Sequence, residues 1–257
     1  MAKLLQGKNI VVMGVANQRS IAWGIAQSLH RQGANLIFTN RQQRSYEKLK
    51  NLVKKNDMEA SYVTCDVADD QSIIDAFKQI KEKVGTIHGV VHSVAFANRD
   101  ELQGEYANTS RDGFLLAQEI SAYSLVAVTR EARKLMTEGG SIVTQSYIGA
   151  EKVIKNYNVM GVAKASLEAS VRYLAEDVGK DNIRVNAISA GPIRTLSAKG
   201  VSGLNEIHSV IEEKAPLRRN VDQEQVGDAT MFLLSDLSRG ITGEVIHVDS
   251  GYHIIGL

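Results

Sequence analysis

The sequence is poor in cysteine and proline, and each shortage narrows the kinds of protein that it can encode. Its 257 residues include one cysteine, Cys65, so no disulfide can form within the chain and we expect a reducing compartment. Two prolines stand against 21 glycines, which suits tight turns between strands and helices. No apolar run approaches the ~20 residues that cross a bilayer, and no signal peptide is visible. We therefore expect a cytoplasmic globular protein.

An excess of either charge is also missing. Thirty basic and 29 acidic side chains give a formal net charge of +1. This balance argues against a nucleic-acid-binding protein that relies on a general basic surface. The six histidines show no tight ligand spacing, so the sequence predicts no metal site.

Strand-like runs rich in Val and Ile alternate with amphipathic stretches along the whole chain. This alternation predicts an α/β fold: one domain, residues 1–257, with a doubly wound, Rossmann-type parallel sheet flanked by helices. The predicted strands are Asn9–Met13, Asn35–Thr39, Ala60–Cys65, Gly89–Val94, Ser141–Gln145, Arg184–Ile188 and Val245–Val248. The predicted helices are Ser20–Gln32, Ser45–Asn56, Asp70–Val84, Gly113–Met136, Tyr157–Gly179 and Gln223–Leu234.

The turn after the first predicted strand has the spacing of a modified dinucleotide-binding loop. A dinucleotide fold brings backbone N–H groups to a pyrophosphate at this helix N-terminus. Gly14 can make the turn, Ser20 can cap the helix and donate to phosphate beside Ile21, and Gly24 lets helix and strand pack closely. The usual G-x-G-x-x-G is absent, and a capped helix needs no ligand. In the first βα turn of this pattern, cofactor binding is favoured.

The end of the second predicted strand indicates which dinucleotide is bound. NAD enzymes often place a carboxylate there to bind the ribose hydroxyls, but the run Asn40–Ser45 contains none. Arg41, helped by Arg44 or Ser45, can bind a 2′-phosphate through charge-assisted hydrogen bonds. The alternative is that these residues only solvate a helix start. The sequence favours NADPH, with NADH possible.

Two further strand ends complete the expected cofactor site. Asp66 and Val67 follow the third predicted strand, where an adenine edge would lie. Ser93 and Val94 leave the fourth strand among small residues, as close approach of a ribose and a nicotinamide requires.

Tyr157 and Lys164 are the candidate catalytic pair. Seven residues are two helical turns, so the two side chains share one helix face about 10 Å apart along the axis. A phenol can donate to a developing enolate oxygen, and a nearby ammonium would lower the phenol pKa and bind a ribose. The alternative is a helix-start aromatic residue followed by a surface lysine.

The order of these motifs closely resembles that of the enoyl-acyl carrier protein reductases of bacterial fatty-acid synthesis, a divergent branch of the short-chain dehydrogenases. The cofactor turn is followed by Tyr147, Tyr157, Lys164 and the segment Ala190–Ala198, and the likeness runs through Val248-Asp249-Ser250-Gly251 near the C-terminus. The common Tyr-x-x-x-Lys pattern fails, because Met160 stands four residues before Lys164. The six-residue gap after Tyr157 is typical of enoyl reductases.

The resemblance implies roles for individual residues. Tyr157 would hydrogen-bond the thioester carbonyl, Lys164 would bind the nicotinamide ribose, and Tyr147 would line the site. Further cofactor contacts are expected from Ile193, Arg194, Thr195, Leu196 and Ser197, at the start of a substrate loop and helix over about 195–213. An apolar slot for the acyl chain would include Ala95, Ala97, Leu102, Met160, Val201 and Ile207, although some of these can be ordinary core residues.

The implied activity is reduction of a trans-2-enoyl-acyl carrier protein to the acyl form by hydride transfer from NAD(P)H. The partner would be the acidic acyl carrier protein, with Arg194 and Lys199 as candidates for a basic rim. A homotetramer is expected, with the apolar tail 254–257 at a subunit contact or packed on its own core. Two alternatives stay open: a 3-oxoacyl or other carbonyl reductase, which Met160 disfavours, and a non-catalytic dinucleotide-binding regulator.

Overall fold

A computed structural model describes residues 3–42, 45–195 and 204–256. Within them, seven strands form one parallel sheet in the order β3-β2-β1-β4-β5-β6-β7. The predicted doubly wound parallel sheet is therefore confirmed. The strands are β1 (Asn9–Met13), β2 (Asn35–Asn40), β3 (Ala60–Thr64), β4 (Gly89–His92), β5 (Gly140–Ser146), β6 (Ile183–Ala190) and β7 (Val245–Val248).

Helices connect the strands and cover both faces of the sheet. The predicted bounds agree with the observed ones to within two residues at most ends, and one helix after β6 lies within the loop and helix expected over about 195–213 apart from its last residue. The helices are α1 (Ile21–Arg31), α2 (Ser45–Lys55), α3 (Asp70–Val84), α4 (Arg111–Gln118), α5 (Ser124–Ala132), α6 (Asn158–Gly179), α7 (Leu204–Lys214) and α8 (Gln223–Leu234).

Alternate residues of each strand pack into two separate cores. In β1, Val11 and Met13 pack with α3, α5 and α6, whereas Ile10 and Val12 pack with α1, α2 and α8. All four side chains are at most 1% exposed. Successive strand residues point to opposite faces of the sheet. Because helices cover both faces, the residues of the run from Ile10 to Met13 are all apolar.

Close packing of α1 against α8 depends on two glycines. A Cβ on Gly24 would lie 2.5 Å from the backbone oxygen of Gln223, and one on Gly227 would lie 2.6 Å from the oxygen of Gly24. The prediction that Gly24 serves contact between a helix and a strand is therefore wrong, because the close neighbour belongs to another helix.

The long helix predicted over Gly113–Met136 is wrong in its continuity. A π-helical segment, Glu119–Tyr123, separates α4 from α5. Ser121 in this segment accepts a hydrogen bond from the backbone N–H of Phe96 at 3.0 Å and donates to its oxygen at 3.1 Å. The segment thereby fixes the loop that follows β4. The strand itself ends at His92, two residues before its predicted end.

Across the ranges given above, none of the helices combines the length and the apolar character that crossing a bilayer requires.

Candidate active site

The turn after β1 brings two strand ends into direct contact. Gly14 has a φ of +92°, and a Cβ on it would lie 1.9 Å from the backbone oxygen of Ser93. Only glycine fits both the conformation and the space. Since β1 and β4 are the neighbours from which the strand order runs outward in both directions, this turn lies at the topological switch point, where doubly wound sheets bind ligands.

Ser20 occupies the N-cap position of α1 but does not cap the helix. Its Oγ instead accepts hydrogen bonds from the backbone N–H groups of Ala16 and Asn17, both at 3.1 Å. The predicted cap is therefore wrong, because the hydroxyl oxygen closes the preceding turn. The hydroxyl hydrogen of Ser20 remains available to donate. The first turn of α1, which begins at Ile21, carries no acidic residue that would repel an anion. These donors suit a pyrophosphate.

Arg41 lies at the end of β2 and is mostly exposed. Its Nε donates to Oδ2 of Asp66 at 2.7 Å. Asp66, which was predicted to lie beside the adenine, therefore orients the Arg41 guanidinium, which was predicted to bind the 2′-phosphate. The terminal guanidinium nitrogens have no bond to Asp66. Ser45 begins α2, but its side chain and the whole of Arg44 lie outside the described residues. Val67 is buried in the core with α3.

Buried polar atoms without partners lie at two strand ends. Among the described residues, the Nδ2 of Asn40 at the end of β2 has no hydrogen-bond partner, and neither polar atom of the Gln145 amide near the end of β5 has one. Native proteins rarely leave such groups unpaired without a reason. Together with the turn donors, they show that this edge of the sheet fits a large polar ligand such as a dinucleotide.

Tyr157 stands immediately before α6 rather than inside it. Its neighbours Asn156 and Asn158 have φ values of 63° and 30°, which asparagine tolerates better than most residues. Asn158 Nδ2 donates to the backbone oxygen of Gly104 at 3.1 Å. The Tyr157 ring lies edge-on to Tyr147, with 5.0 Å between ring centroids. The entry to α6 thus sets the position of the phenol.

Two glycines leave the space that Tyr157 occupies, and sequence reasoning did not single them out. A Cβ on Gly149 would lie 2.5 Å from Cδ1 of the Tyr157 ring, and one on Gly161 would lie 2.7 Å from the oxygen of Gly149. Neither has a positive φ. In the sequence, the only sign of their importance is that each glycine stands a few residues after a predicted catalytic tyrosine.

Burial controls the ionisation of both tyrosines. Burial raises the pKa of Tyr157 far above its usual value, and the nearby Tyr147 and Glu168 raise it further. Burial also raises the pKa of Tyr147 to about 12. The expected lowering of the Tyr157 pKa is therefore wrong, because loss of solvation dominates. Both phenols are therefore neutral and keep the proton that a hydrogen-bond donor needs.

Lys164 is not a surface residue. It is 6% exposed, and its Nζ donates to the backbone oxygen of Gln145 at 2.6 Å. Burial lowers its pKa to about 8, and Glu168 acts in the opposite direction. The ammonium is thus fixed at the end of β5, where it can reach a ribose.

A buried histidine beneath the site was missed by sequence reasoning. His92 is fully buried at the end of β4, with Nδ1 2.9 Å from Thr144 Oγ1 and Nε2 2.8 Å from Ser124 Oγ. Burial, followed by the charge of Lys164, lowers its pKa to about 3. It is therefore neutral and links three elements without adding charge.

Three residues of the predicted acyl slot meet in one apolar cluster. Ala97, Leu102 and Met160 pack together with the ring of Tyr157. Of the other predicted residues, Ala95 is exposed and outside the cluster, Ile207 is half-buried on α7, and Val201 lies outside the described residues. Cluster members that the sequence did not single out are Phe114, Ala117, Val159 and Ala163.

The loop after β6 carries the remaining predicted cofactor contacts. Ile193 is buried, Thr195 is half-buried and Arg194 is exposed. The backbone N–H of Gly191 donates to the oxygen of Val248 at 2.8 Å, which ties the start of this loop to β7. Leu196 and Ser197, like Lys199, lie outside the described residues.

A doubly wound parallel sheet, a glycine turn at its switch point, and a half-buried tyrosine and a buried lysine around α6 define a dinucleotide-dependent oxidoreductase. A family model described as "Enoyl-(Acyl carrier protein) reductase" matches residues 14–253. The chain belongs to this family, which confirms the resemblance seen in the sequence.

Close relatives agree along the whole chain. An enoyl-[acyl-carrier-protein] reductase [NADH] FabI of Bacillus cereus is 65% identical, covering 99% of this chain and 100% of the relative. A Staphylococcus aureus protein whose name specifies NADPH is 60% identical, covering 98% of each. The crystal structure of a Bacillus cereus enoyl-acyl carrier protein reductase with NADP+ and indole naphthyridinone superposes with a TM-score of 0.97, at 65% identity and with 99% and 100% of the two chains covered.

Proposed function

We propose that this protein reduces trans-2-enoyl-acyl carrier protein to acyl-acyl carrier protein with NAD(P)H in the elongation cycle of fatty-acid synthesis. The observation that carries the proposal is the neutral, half-buried phenol of Tyr157, which packs against Tyr147 and against the apolar cluster containing Met160. A reduced nicotinamide supplies the hydride when it is bound.

The protein's own side chains then have distinct tasks. Tyr157 donates a hydrogen bond to the thioester carbonyl oxygen, and this bond strengthens as negative charge develops there. Lys164 binds the ribose of the nicotinamide half, since its ammonium is fixed by Gln145 at the strand end. Tyr147 and the apolar cluster exclude water around the enoyl group.

NADPH is the proposed preferred cofactor. Relatives with similar sequences carry either NADH or NADPH in their names, so the preference is argued from this chain. Arg41 is oriented through its Nε by Asp66, which leaves its terminal nitrogens for a 2′-phosphate. The end of β2 and its flanking turn offer no carboxylate to the ribose hydroxyls.

Acyl carrier protein is the proposed partner, and Arg194 and Lys199 are the proposed rim cations. We also propose a homotetramer. Several large apolar side chains are exposed on this chain, and Ile254 in the tail is 67% exposed rather than packed on its own core. Surfaces of this kind are typical of subunit contacts. Sedimentation equilibrium that gives four times the 28.1 kDa chain mass would support this, and a monomer would overturn it.

The decisive assay measures NADPH oxidation with crotonyl and acetoacetyl thioesters. Turnover with the crotonyl thioester alone is expected, because Met160 replaces the tyrosine that carbonyl reducers use. Turnover with the acetoacetyl thioester alone would establish a carbonyl reductase instead. The variant Tyr157→Phe separates catalysis from regulation: unchanged cofactor binding with reduced turnover supports an enzyme, and unchanged turnover contradicts the role of Tyr157.

A further inference from the structure

The reaction as proposed leaves one buried carboxylate without a task. Glu168 lies on α6, one helical turn after Lys164, and is 7% exposed. Ser146 Oγ donates a hydrogen bond to its Oε1. Carboxylates are rarely buried to this extent unless they are paired or functional.

The surroundings of Lys164 show what such a carboxylate does. Within the part of the chain that the structure describes, this buried ammonium donates to one neutral backbone oxygen, that of Gln145, and has no counter-charge in direct contact. Removing it from water favours the neutral amine, as its lowered pKa reflects. Glu168 is the carboxylate whose charge opposes this effect.

Other titratable groups surround the two residues. His92 on β4 faces Lys164 and is neutral. Glu151, His247 and Arg172 act on Glu168 from the turn after β5, from β7 and from α6 itself. Of these, Glu151 and His247 are bonded to each other at 2.8 Å, which leaves Glu168 and Lys164 as the buried groups of opposite charge on α6.

The hydrogen bond from Ser146 gives Glu168 a second effect. Ser146 is the last residue of β5, between Gln145, whose oxygen accepts from Lys164, and Tyr147, which packs on Tyr157. A carboxylate bonded to Ser146 therefore fixes the strand end that positions both catalytic side chains.

We propose that Glu168 is a positioning residue that keeps Lys164 protonated for cofactor binding and fixes the end of β5 on α6. The task assigned to Lys164 rests on the proposed function. Its charge and its hydrogen bond are separable, since glutamine retains the shape and the acceptor oxygen but loses the charge.

The test compares Glu168→Gln with Glu176→Gln, a matched loss of charge at an exposed site two turns further along α6. The NADPH dissociation constant is measured by fluorescence titration from pH 6 to pH 9.5. We expect Glu168→Gln to bind about fivefold or more weakly than the parent at pH 8.5 and within about twofold at pH 6.5, because loss of the carboxylate lowers the Lys164 pKa. Glu176→Gln should follow the parent.

A pH profile of Glu168→Gln that superposes on the parent would overturn the proposal. If this variant does not fold, Ser146→Ala carries the test: loss of the hydrogen bond to Glu168 frees the end of β5 that holds Lys164, so weaker NADPH binding across the whole pH range is expected, and unchanged binding overturns the proposal. The binding assay contains no enoyl substrate. Failure of the parent to reduce crotonyl thioester would therefore refute the proposed function. The pH dependence of NADPH binding would still test the role of Glu168.

Discussion

The two ends of the cofactor cleft are built in opposite ways. At the end of β2, Arg41 is mostly exposed and is oriented by one ion pair with Asp66. Around α6, Lys164 is buried and Tyr157 is half-buried, and loss of solvation shifts the pKa of both. A substitution at the exposed end should therefore change folding little, whereas a substitution around α6 changes packing and charge at the same time.

This contrast has a physical basis in solvation. An exposed ion pair contributes about 0–1 kcal/mol to stability, so its loss hardly changes the free energy of unfolding. A buried ammonium costs several kcal/mol in lost hydration, which the fold tolerates only where the charge is used.

The largest effect is expected from Lys164→Met. Losing the charged donor should weaken NADPH binding by about thirtyfold or more and abolish turnover, because hydrogen bonds to charged groups contribute about 1.5–3 kcal/mol. Calorimetric titration with NADPH measures the loss. Lys180→Met, an exposed lysine just after α6, is the control and should bind normally.

The same variant should also be more stable than the parent at pH 7. The folded pKa of Lys164 is about 8 and its ordinary value is 10.5, so the unfolded chain binds more protons between these values. The unfolding free energy of the parent therefore increases as the pH rises across that window. The difference in stability between Lys164→Met and the parent becomes smaller over the same range. Urea unfolding at pH 7 and pH 10 measures this; an advantage that grows with pH contradicts it.

A smaller loss is expected from Gly149→Ala. The new methyl group would meet the Tyr157 ring at 2.5 Å, so the phenol must shift. We expect about 1–3 kcal/mol of lost stability and about tenfold lower kcat, with NADPH binding little changed. Gly179→Ala is the control, since nothing lies within 4 Å of its added Cβ. Equal kinetics for both alanine variants would show that the close fit around Tyr157 is dispensable.

The smallest structural effect is expected from Arg41→Ala. The KM for NADPH should rise about five- to tenfold while that for NADH stays constant, because only the 2′-phosphate contact is lost. The change in unfolding free energy should stay within ~0.5 kcal/mol. Arg239→Ala removes the same charge at a distant exposed site. Equal changes for both cofactors would place the 2′-phosphate elsewhere.

The fold was predictable because its signals are local and repeated. Apolar strands such as Asn9–Met13 and the helix pattern of Asp70–Val84 are set by period and by turn residues, and both elements were predicted with their observed bounds. The π-helical segment was not predictable in this way. It depends on Ser121 meeting the backbone of Phe96, a contact between residues 25 positions apart.

In the candidate site, the meeting of Tyr147, Tyr157 and Lys164 around α6 was predictable, but their electrostatics were not. Spacing singled out Tyr157 and Lys164, and resemblance supplied their roles. The direction of the Tyr157 pKa shift could not be read from the sequence, because it depends on how completely the ring is buried. Likewise, Glu168 looks like any helix glutamate until its distance from solvent is known.

The π-helical segment has a consequence for how one stretch of chain serves two parts of the molecule. Each residue of an α-helix turns the chain by about 100°, and a π-helical turn holds one residue more than an α-helical turn. The extra residue rotates the face of α5 relative to that of α4. Ala117 therefore points into the apolar cluster beside Met160, whereas Leu125 and Val128 point into the sheet core. One inserted residue thus lets a helix leave the substrate side and continue as part of the scaffold.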